Sequence, residues 1–311
     1  MDLLVDIFGY LSVLLRGFVL TTQSLTVGGV AFLMLLLQPL AGKLGGSAPL
    51  IFERTRRMLV WSALALVVFE MLTLAVQATV LVGTLEIPAA EALSTSFAAV
   101  AMTVSVAALA IAVGVARVRE SFRPFVLVPA ALLILGAQVA ASHAAARLDA
   151  RPAMEVAGFV HMGAAAVWIG GLPYLLLALA GTAQPSASNL IGRRYSLMSM
   201  LAVALLICAG IAMAIEYVGS PEALYGTAYG VMVLTKALLL VGMLFLGWMN
   251  YRLVRKLQGN SGAFVLTLRR FVEAELGIGL TVLFAAGSLT SQPPGLTWWL
   301  IGQRGRKSCS S

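Results

Sequence analysis

Residues 191–217 read IGRRYSLMSMLAVALLICAGIAMAIEY and predict a helix that crosses a membrane. After Arg193 and Arg194, no charged residue follows until Glu216, and the stretch between them is almost entirely apolar. A helix needs about 20 apolar residues to cross the hydrocarbon core of a bilayer. The segment 196–217 reaches that length, so we interpret it as a transmembrane span.

The same pattern of apolar segments between charged residues recurs along the whole chain. Seven further spans follow from it, at 14–38, 58–82, 94–116, 124–142, 156–180, 229–249 and 271–291. We therefore expect an all-α integral membrane protein, a bundle of about eight transmembrane helices. These helices would form a single domain over 1–295, and the composition then changes to a polar C-terminal tail over 296–311.

The overall composition excludes most soluble classes of protein. Of 311 residues, 60% are hydrophobic and 11% are charged, whereas soluble domains carry roughly 25% charged residues. A soluble enzyme is a poor interpretation, and so is a nucleic-acid-binding protein, despite a pI near 9.9. Membrane lipid is the partner that this composition indicates. Cys208 and Cys309 form no CxxC pair, which argues against c-type haem and cysteine-held clusters.

The charged residues of the loops predict the orientation. The loops after spans one, three, five and seven together hold 14 Lys and Arg residues, whereas the opposite loops hold only Arg147 and Arg151. Cytoplasmic loops of membrane proteins carry the excess of Lys and Arg. This asymmetry places both termini on the periplasmic side.

Two histidines lie at the outer ends of neighbouring predicted spans. His143 ends span four and His161 begins span five, so a short loop should bring them to one depth. Neutral imidazole is a ligand for copper, iron and zinc, and thioether sulfur suits Cu(I). We predict an outward-facing metal site with His143, His161, Met154, Met162, Met213 and Glu216 as candidate ligands. Trp168, two turns from His161 on the same face, would seal the pocket.

Ionisable and amide side chains inside spans mark a possible transport path, because charge in a bilayer is costly. Glu70 lies mid-span and would pair with Lys236 or Arg16, or transfer protons. Gln138 would line a polar path or bond across helices. Glu273 and Glu275 follow two arginines, which favours a salt-bridge network at the cytoplasmic interface. No nucleotide-binding loop or catalytic triad motif is present, so we expect a transporter rather than an enzyme.

A redox protein is the alternative interpretation of the same histidines. His143 and His161 on adjacent helices could be the two axial ligands of a b-type haem. Arg147 or Arg151 would then pair with a propionate. Copper and haem b thus both remain candidate cofactors at this stage.

An ordered series of motifs resembles one known family, the CopD/PcoD family of bacterial inner-membrane copper resistance and transport proteins. The resemblance covers about 140–295, and its motifs are Ser142-His-Ala144, His161, Trp168-Ile-Gly-Gly171, Arg193-Arg-Tyr-Ser196, Gly226-Thr-Ala-Tyr-Gly230, Lys236, Asn250-Tyr-Arg252, Arg269-Arg-Phe-Val-Glu-Ala-Glu275 and Thr290-Ser-Gln-Pro-Pro294.

The resemblance implies a multi-pass protein of the bacterial inner membrane that transports copper, usually inward. It also implies a periplasmic CopC-like copper carrier as partner. This sequence shows no fused cupredoxin-like domain, so the carrier is expected to be a separate protein.

Overall fold

The computed structural model describes residues 2–85, 88–141, 151–182, 185–218, 221–256 and 262–289. Helices account for nearly all of these residues, and these ranges contain no strand. The α-helices are α1 (Asp2–Ala31), α2 (Gln38–Leu40), α3 (Ala48–Leu85), α4 (Ala89–Leu93), α5 (Ser96–Arg117), α6 (Arg123–Ala140), α7 (Arg151–Trp168), α8 (Leu172–Gly181), α9 (Pro185–Val218), α10 (Pro221–Gly226), α11 (Ala228–Lys256) and α12 (Gly262–Leu289).

Seven of the described helical segments are long and apolar enough to cross a membrane. They are Gly9–Lys43, Gly45–Gly83, Ser96–Arg117, Arg123–Ala140, Pro152–Gly181, Ser186–Val218 and Gly230–Arg252. The predicted all-α, multi-pass class is confirmed. The eighth predicted span, 271–291, lies mostly in α12, which holds four charged residues in its first half and is not among the seven. The count of eight and the periplasmic termini therefore stay predictions.

Several helices extend beyond the predicted spans. The prediction begins the second span at residue 58, but α3 begins at Ala48 and carries Arg54, Arg56 and Arg57 within it. Arginine is a good helix former, and its long side chain can reach from a helix end to the interface. Arg56 also donates a hydrogen bond from Nη2 to the Val115 carbonyl oxygen at 2.9 Å, which ties α3 to the end of α5. Charged residues therefore mark the membrane boundary without ending the helix.

Two apolar clusters divide the interior. The larger one joins α1 and the π-helical turn Phe32–Leu37 to α3, α5, α6, α8 and the starts of α9 and α12. The smaller one lies among α7, α9, α11 and α12 and contains Trp168, Leu206 and Met243. Helix α7 contributes to both clusters. Helices α9 and α12 also contribute to both clusters, so these three helices join the two parts of the bundle.

The backbone of helix α1 lies directly against the backbone at the turn between α7 and α8. A Cβ atom at Gly28 would overlap the Ala166 carbonyl oxygen and lie 2.6 Å from the Gly170 carbonyl carbon. A Cβ atom at Gly170 would in turn overlap the backbone of Ser24. Small residues let two membrane helices approach this closely. The sequence Trp168-Ile-Gly-Gly171 thus provides a docking surface for α1.

Gly170→Ala should destabilise the protein, because the added methyl group meets backbone atoms that cannot move aside cheaply. We expect a loss of about 1–3 kcal/mol, the usual cost of overpacking, seen as a lower Tm in detergent. Gly136→Ala is the matched control, since a Cβ atom there meets open space. An unchanged Tm for Gly170→Ala would contradict the close crossing.

Candidate metal path along helix α7

One face of α7 carries three side chains able to take part in metal handling, at intervals of seven residues. They are Met154, His161 and Trp168. Seven residues are nearly two helical turns and about 10 Å along the axis, so these side chains form a column along one face. Met154 and His161 contact residues of α9. Trp168 lies in the smaller apolar cluster, to which α9 also contributes. The column therefore runs along the interface between α7 and α9.

The first level of the column is an apolar cluster that includes two methionines. Met154 and Tyr217 are buried against each other, and Met213 and Ala157 pack around them. Glu216 precedes Tyr217 on α9 and is partly buried. Thioether sulfur is a soft ligand that prefers Cu(I). Two of the predicted ligands, Met154 and Met213, thus belong to this level. Glu216 follows Met213 closely in the sequence.

His161 forms the second level and is held in a defined orientation. Its Nδ1 atom lies 3.2 Å from the Leu206 carbonyl oxygen on α9. A Cβ atom at Gly210 would lie 3.4 Å from Cε1 of the imidazole, so this glycine leaves room for the ring. A carbonyl only accepts, so Nδ1 carries the proton and Nε2 keeps its lone pair. Metal-binding histidines commonly use a backbone carbonyl in this way.

Trp168 forms the third level and is linked to α12. Its Nε1–H donates to Oε1 of Glu275 at 2.7 Å. The second carboxylate oxygen, Oε2, accepts from Nδ2 of Asn250 on α11 at 2.6 Å. The Tyr195 hydroxyl donates to the Trp168 carbonyl oxygen. Trp168 thus does not simply close a pocket, because it also holds a buried carboxylate.

Glu275 is a functional candidate that the sequence analysis assigned differently. The predicted salt-bridge network is present only in part: Glu273 lies 4.0 Å from Arg269, while Glu275 is 3% exposed and bonds to Trp168 and Asn250. Its position follows from helical periodicity. Leu268 and Val272, both buried, precede it at spacings of seven and three on the same stripe of α12.

Glu70 and Gln138 belong to a separate cluster among α1, α3 and α6. Nη1 of Arg16 donates to Oε1 of Gln138 at 3.0 Å, and Nε2 of Gln138 donates to Oε1 of Glu70. These side chains line a cavity of about 350 Å³ together with Thr73 and Gln77. Of the two predicted partners of Glu70, Arg16 is therefore the one that the structure brings to it.

The remaining candidates are dispersed. Lys236 interacts electrostatically with His161 from α11. Met162 packs against the larger apolar cluster, away from the Met154 and Met213 level. His143 lies outside the described residues. Among the described residues, no three His, Cys, Asp or Glu side chains come together. A metal ion on this path would therefore need methionine ligands beside the imidazole.

Comparison with known proteins connects this region to copper. Residues 190–289 match the family described as Copper resistance protein D. The Copper transport protein CutJ of Bacillus subtilis (strain 168) is 33% identical over 138 residues, 43% of this chain and 24% of that protein. The match thus covers about a quarter of that relative's length. No solved structure matches this chain.

The predicted resemblance to the copper resistance family is confirmed by these matches, and the family match covers most of α9 and all of α10, α11 and α12. The seven candidate spans support a multi-pass membrane location. Helix α7 lies before the family match, so the column is formed between α7 and the matched region.

Gln138→Leu should destabilise the protein by leaving Arg16 and Glu70 without their shared partner. A buried polar group that loses its hydrogen bond costs about 1–3 kcal/mol. We expect a lower Tm and earlier unfolding in a denaturing detergent titration. Gln77→Leu, in the same cavity, is the control and should unfold near the wild-type Tm. Equal effects of both changes would argue against the bridging role of Gln138.

Proposed function

We propose that this chain carries copper inward across the bacterial inner membrane along the α7 column. The observation that supports this most directly is that two methionines, Met154 and Met213, belong to one apolar cluster on the same interface as His161. Half of that interface belongs to the region that matches a copper resistance family. The CutJ relative is likewise described as a copper transport protein.

Copper is captured at the outer level in this proposal. Met154 and Met213 bind Cu(I) without losing a proton, and a soft thioether binds it in preference to harder cations. Glu216 attracts the ion electrostatically. In this proposal His143, which precedes α7 in the sequence, completes the capture site, and a periplasmic CopC-like protein delivers the metal.

His161 is the second station. Its Nε2 lone pair receives the ion, while the Leu206 carbonyl oxygen holds Nδ1 and keeps the ring in place. Conduction requires each site to bind the ion weakly enough to release it. The nearby positive charge of Lys236 lowers the affinity of this station for a cation, so the ion moves on. The transfer needs only ligand exchange and no covalent chemistry.

The Arg16, Gln138 and Glu70 cluster has a packing role in this proposal. It contains a cation and a carboxylate linked through an amide, so its charges balance each other. A balanced group of this kind stabilises helix packing without attracting a further cation. The copper path therefore runs along α7 rather than past Glu70.

Replacing both His161 and Met213, as His161→Ala with Met213→Leu, should abolish Cu(I) binding at the outer half of the path. We expect at least a tenfold loss of copper uptake into proteoliposomes loaded with a Cu(I) chelator, measured by elemental analysis. Met162→Leu is the matched control, because Met162 packs elsewhere, and it should transport at the wild-type rate. Wild-type uptake by the double variant would refute the proposed path.

The same purified protein decides between copper and haem. Near-stoichiometric copper with no Soret absorption is the result expected of a copper transporter. Near-stoichiometric iron with a Soret band that disappears in His161→Ala would instead establish the b-type haem alternative.

A further inference from the structure

Glu275 is a buried carboxylate whose hydrogen-bond partners in the described part of the chain are both neutral. It is 3% exposed, and its two oxygens accept hydrogen bonds from Trp168 Nε1–H and Asn250 Nδ2–H. A charge buried in a membrane protein is normally paired or functional. Glu70, the other deeply buried carboxylate described above, is linked to Arg16 through Gln138. Among the described residues, the hydrogen bonds of Glu275 thus bring it no cation, so its ionised form has room for one.

The arginines at the same end of the bundle whose side chains the structure describes do not fill this role. Arg193, Arg194 and Arg270 are exposed. Arg252 lies over the Trp248 ring at 4.9 Å, and Arg269 lies near Glu273. These guanidinium groups thus lie at the predicted cytoplasmic interface, while the Glu275 carboxylate bonds, within the described part of the chain, to an indole and an amide.

A cavity of about 490 Å³ opens beside Glu275 between α9, α11 and α12. Asn250, Tyr195, Trp168 and Met200 line it. Asn250 is 7% exposed, and its Oδ1 atom has no hydrogen-bond partner. A buried amide oxygen without a partner costs free energy unless a ligand satisfies it. The residues that line the cavity therefore include an amide with an unpartnered oxygen, a carboxylate with neutral hydrogen-bond partners, and Met200, which is 48% exposed.

The cavity also continues the α7 column. Trp168 lines it and lies seven residues, about 10 Å, beyond His161 on the same face. Met243 is buried against Trp168 in the same apolar cluster. The position after His161 on the path is thus the Trp168 level, and the groups that meet a cation there belong to this cavity.

We infer that Glu275 and Asn250 Oδ1, with the Met200 thioether, form the inner cation site from which Cu(I) leaves the path. This inference rests on the proposed copper transport. The carboxylate supplies charge, the amide oxygen and thioether complete the ligand set, and Trp168 fixes the carboxylate through Nε1–H. Release toward the cytoplasm follows because oxygen donors hold a soft cation less tightly than thioethers and imidazole.

The test measures uptake and binding of Ag⁺, a soft monovalent ion with no redox chemistry under these conditions, in proteoliposomes and in detergent. Glu275→Gln keeps the size of the side chain and one hydrogen-bond acceptor. We expect at least a tenfold loss of Ag⁺ uptake and one Ag⁺ fewer bound per chain, with the outer site still occupied. Glu273→Gln, on the same helix but exposed and near Arg269, is the control and should match wild type.

Asn250→Asp separates ligand loss from misfolding. It removes an amide donor but retains an oxygen ligand, so Ag⁺ binding at the inner site should persist if the oxygen is the ligand. Wild-type uptake and unchanged binding in Glu275→Gln, while His161→Ala with Met213→Leu fails, would overturn this inference alone. Absence of Ag⁺ and Cu⁺ uptake by the wild-type protein would instead overturn the proposed function.

Discussion

The hydrocarbon core of a bilayer supplies no hydrogen-bond partners, and the arrangement of buried polar groups in this chain follows from that constraint. Backbone groups are satisfied within helices, which leaves side chains to join the helices to one another. Two of the polar networks among the described residues contain ionisable groups: one links Arg16 to Glu70 through Gln138, and the other links Glu275 to Trp168 and Asn250. The first contains a guanidinium and a carboxylate, whereas the second contains only a carboxylate, and on this difference we propose a packing role for the first and a binding role for the second.

The bundle is not uniform in how tightly it packs. Around α1 and the turn between α7 and α8, backbone atoms of two elements touch at Gly28 and Gly170. Helices α9 and α11 are mostly lipid-facing by comparison, and large side chains such as Leu201 and Leu238 are exposed. Lipid tails are as apolar as leucine, so exposure of this kind carries no penalty in a membrane. The proposed path thus runs between a tightly packed half and a loosely packed half.

Much of this architecture could be predicted from sequence, because apolar length alone identifies a transmembrane helix. The ends of the helices could not be predicted in this way, because arginines such as Arg54 lie inside α3 rather than before it. The face of α7 shared by His161 and Trp168 was predicted from helical periodicity, but the cluster that contains Met154 and Met213 depends on the contact between α7 and α9. The sequence predicted an ion pair for Glu275 because arginines lie close to it in the chain. Its side chain instead points into the bundle, because Glu275 lies on the same buried stripe of α12 as Leu268 and Val272.

The Arg16 network has a consequence for how the protein is made. Arg16 lies on α1, and Gln138, which accepts its hydrogen bond, follows 122 residues later in the chain. During translation α1 therefore meets the membrane with a guanidinium whose acceptor does not yet exist. An isolated charge of this kind disfavours release into lipid. Helix α1 must stay beside the insertion machinery, or hold Arg16 at the headgroups, until α3 and α6 have emerged.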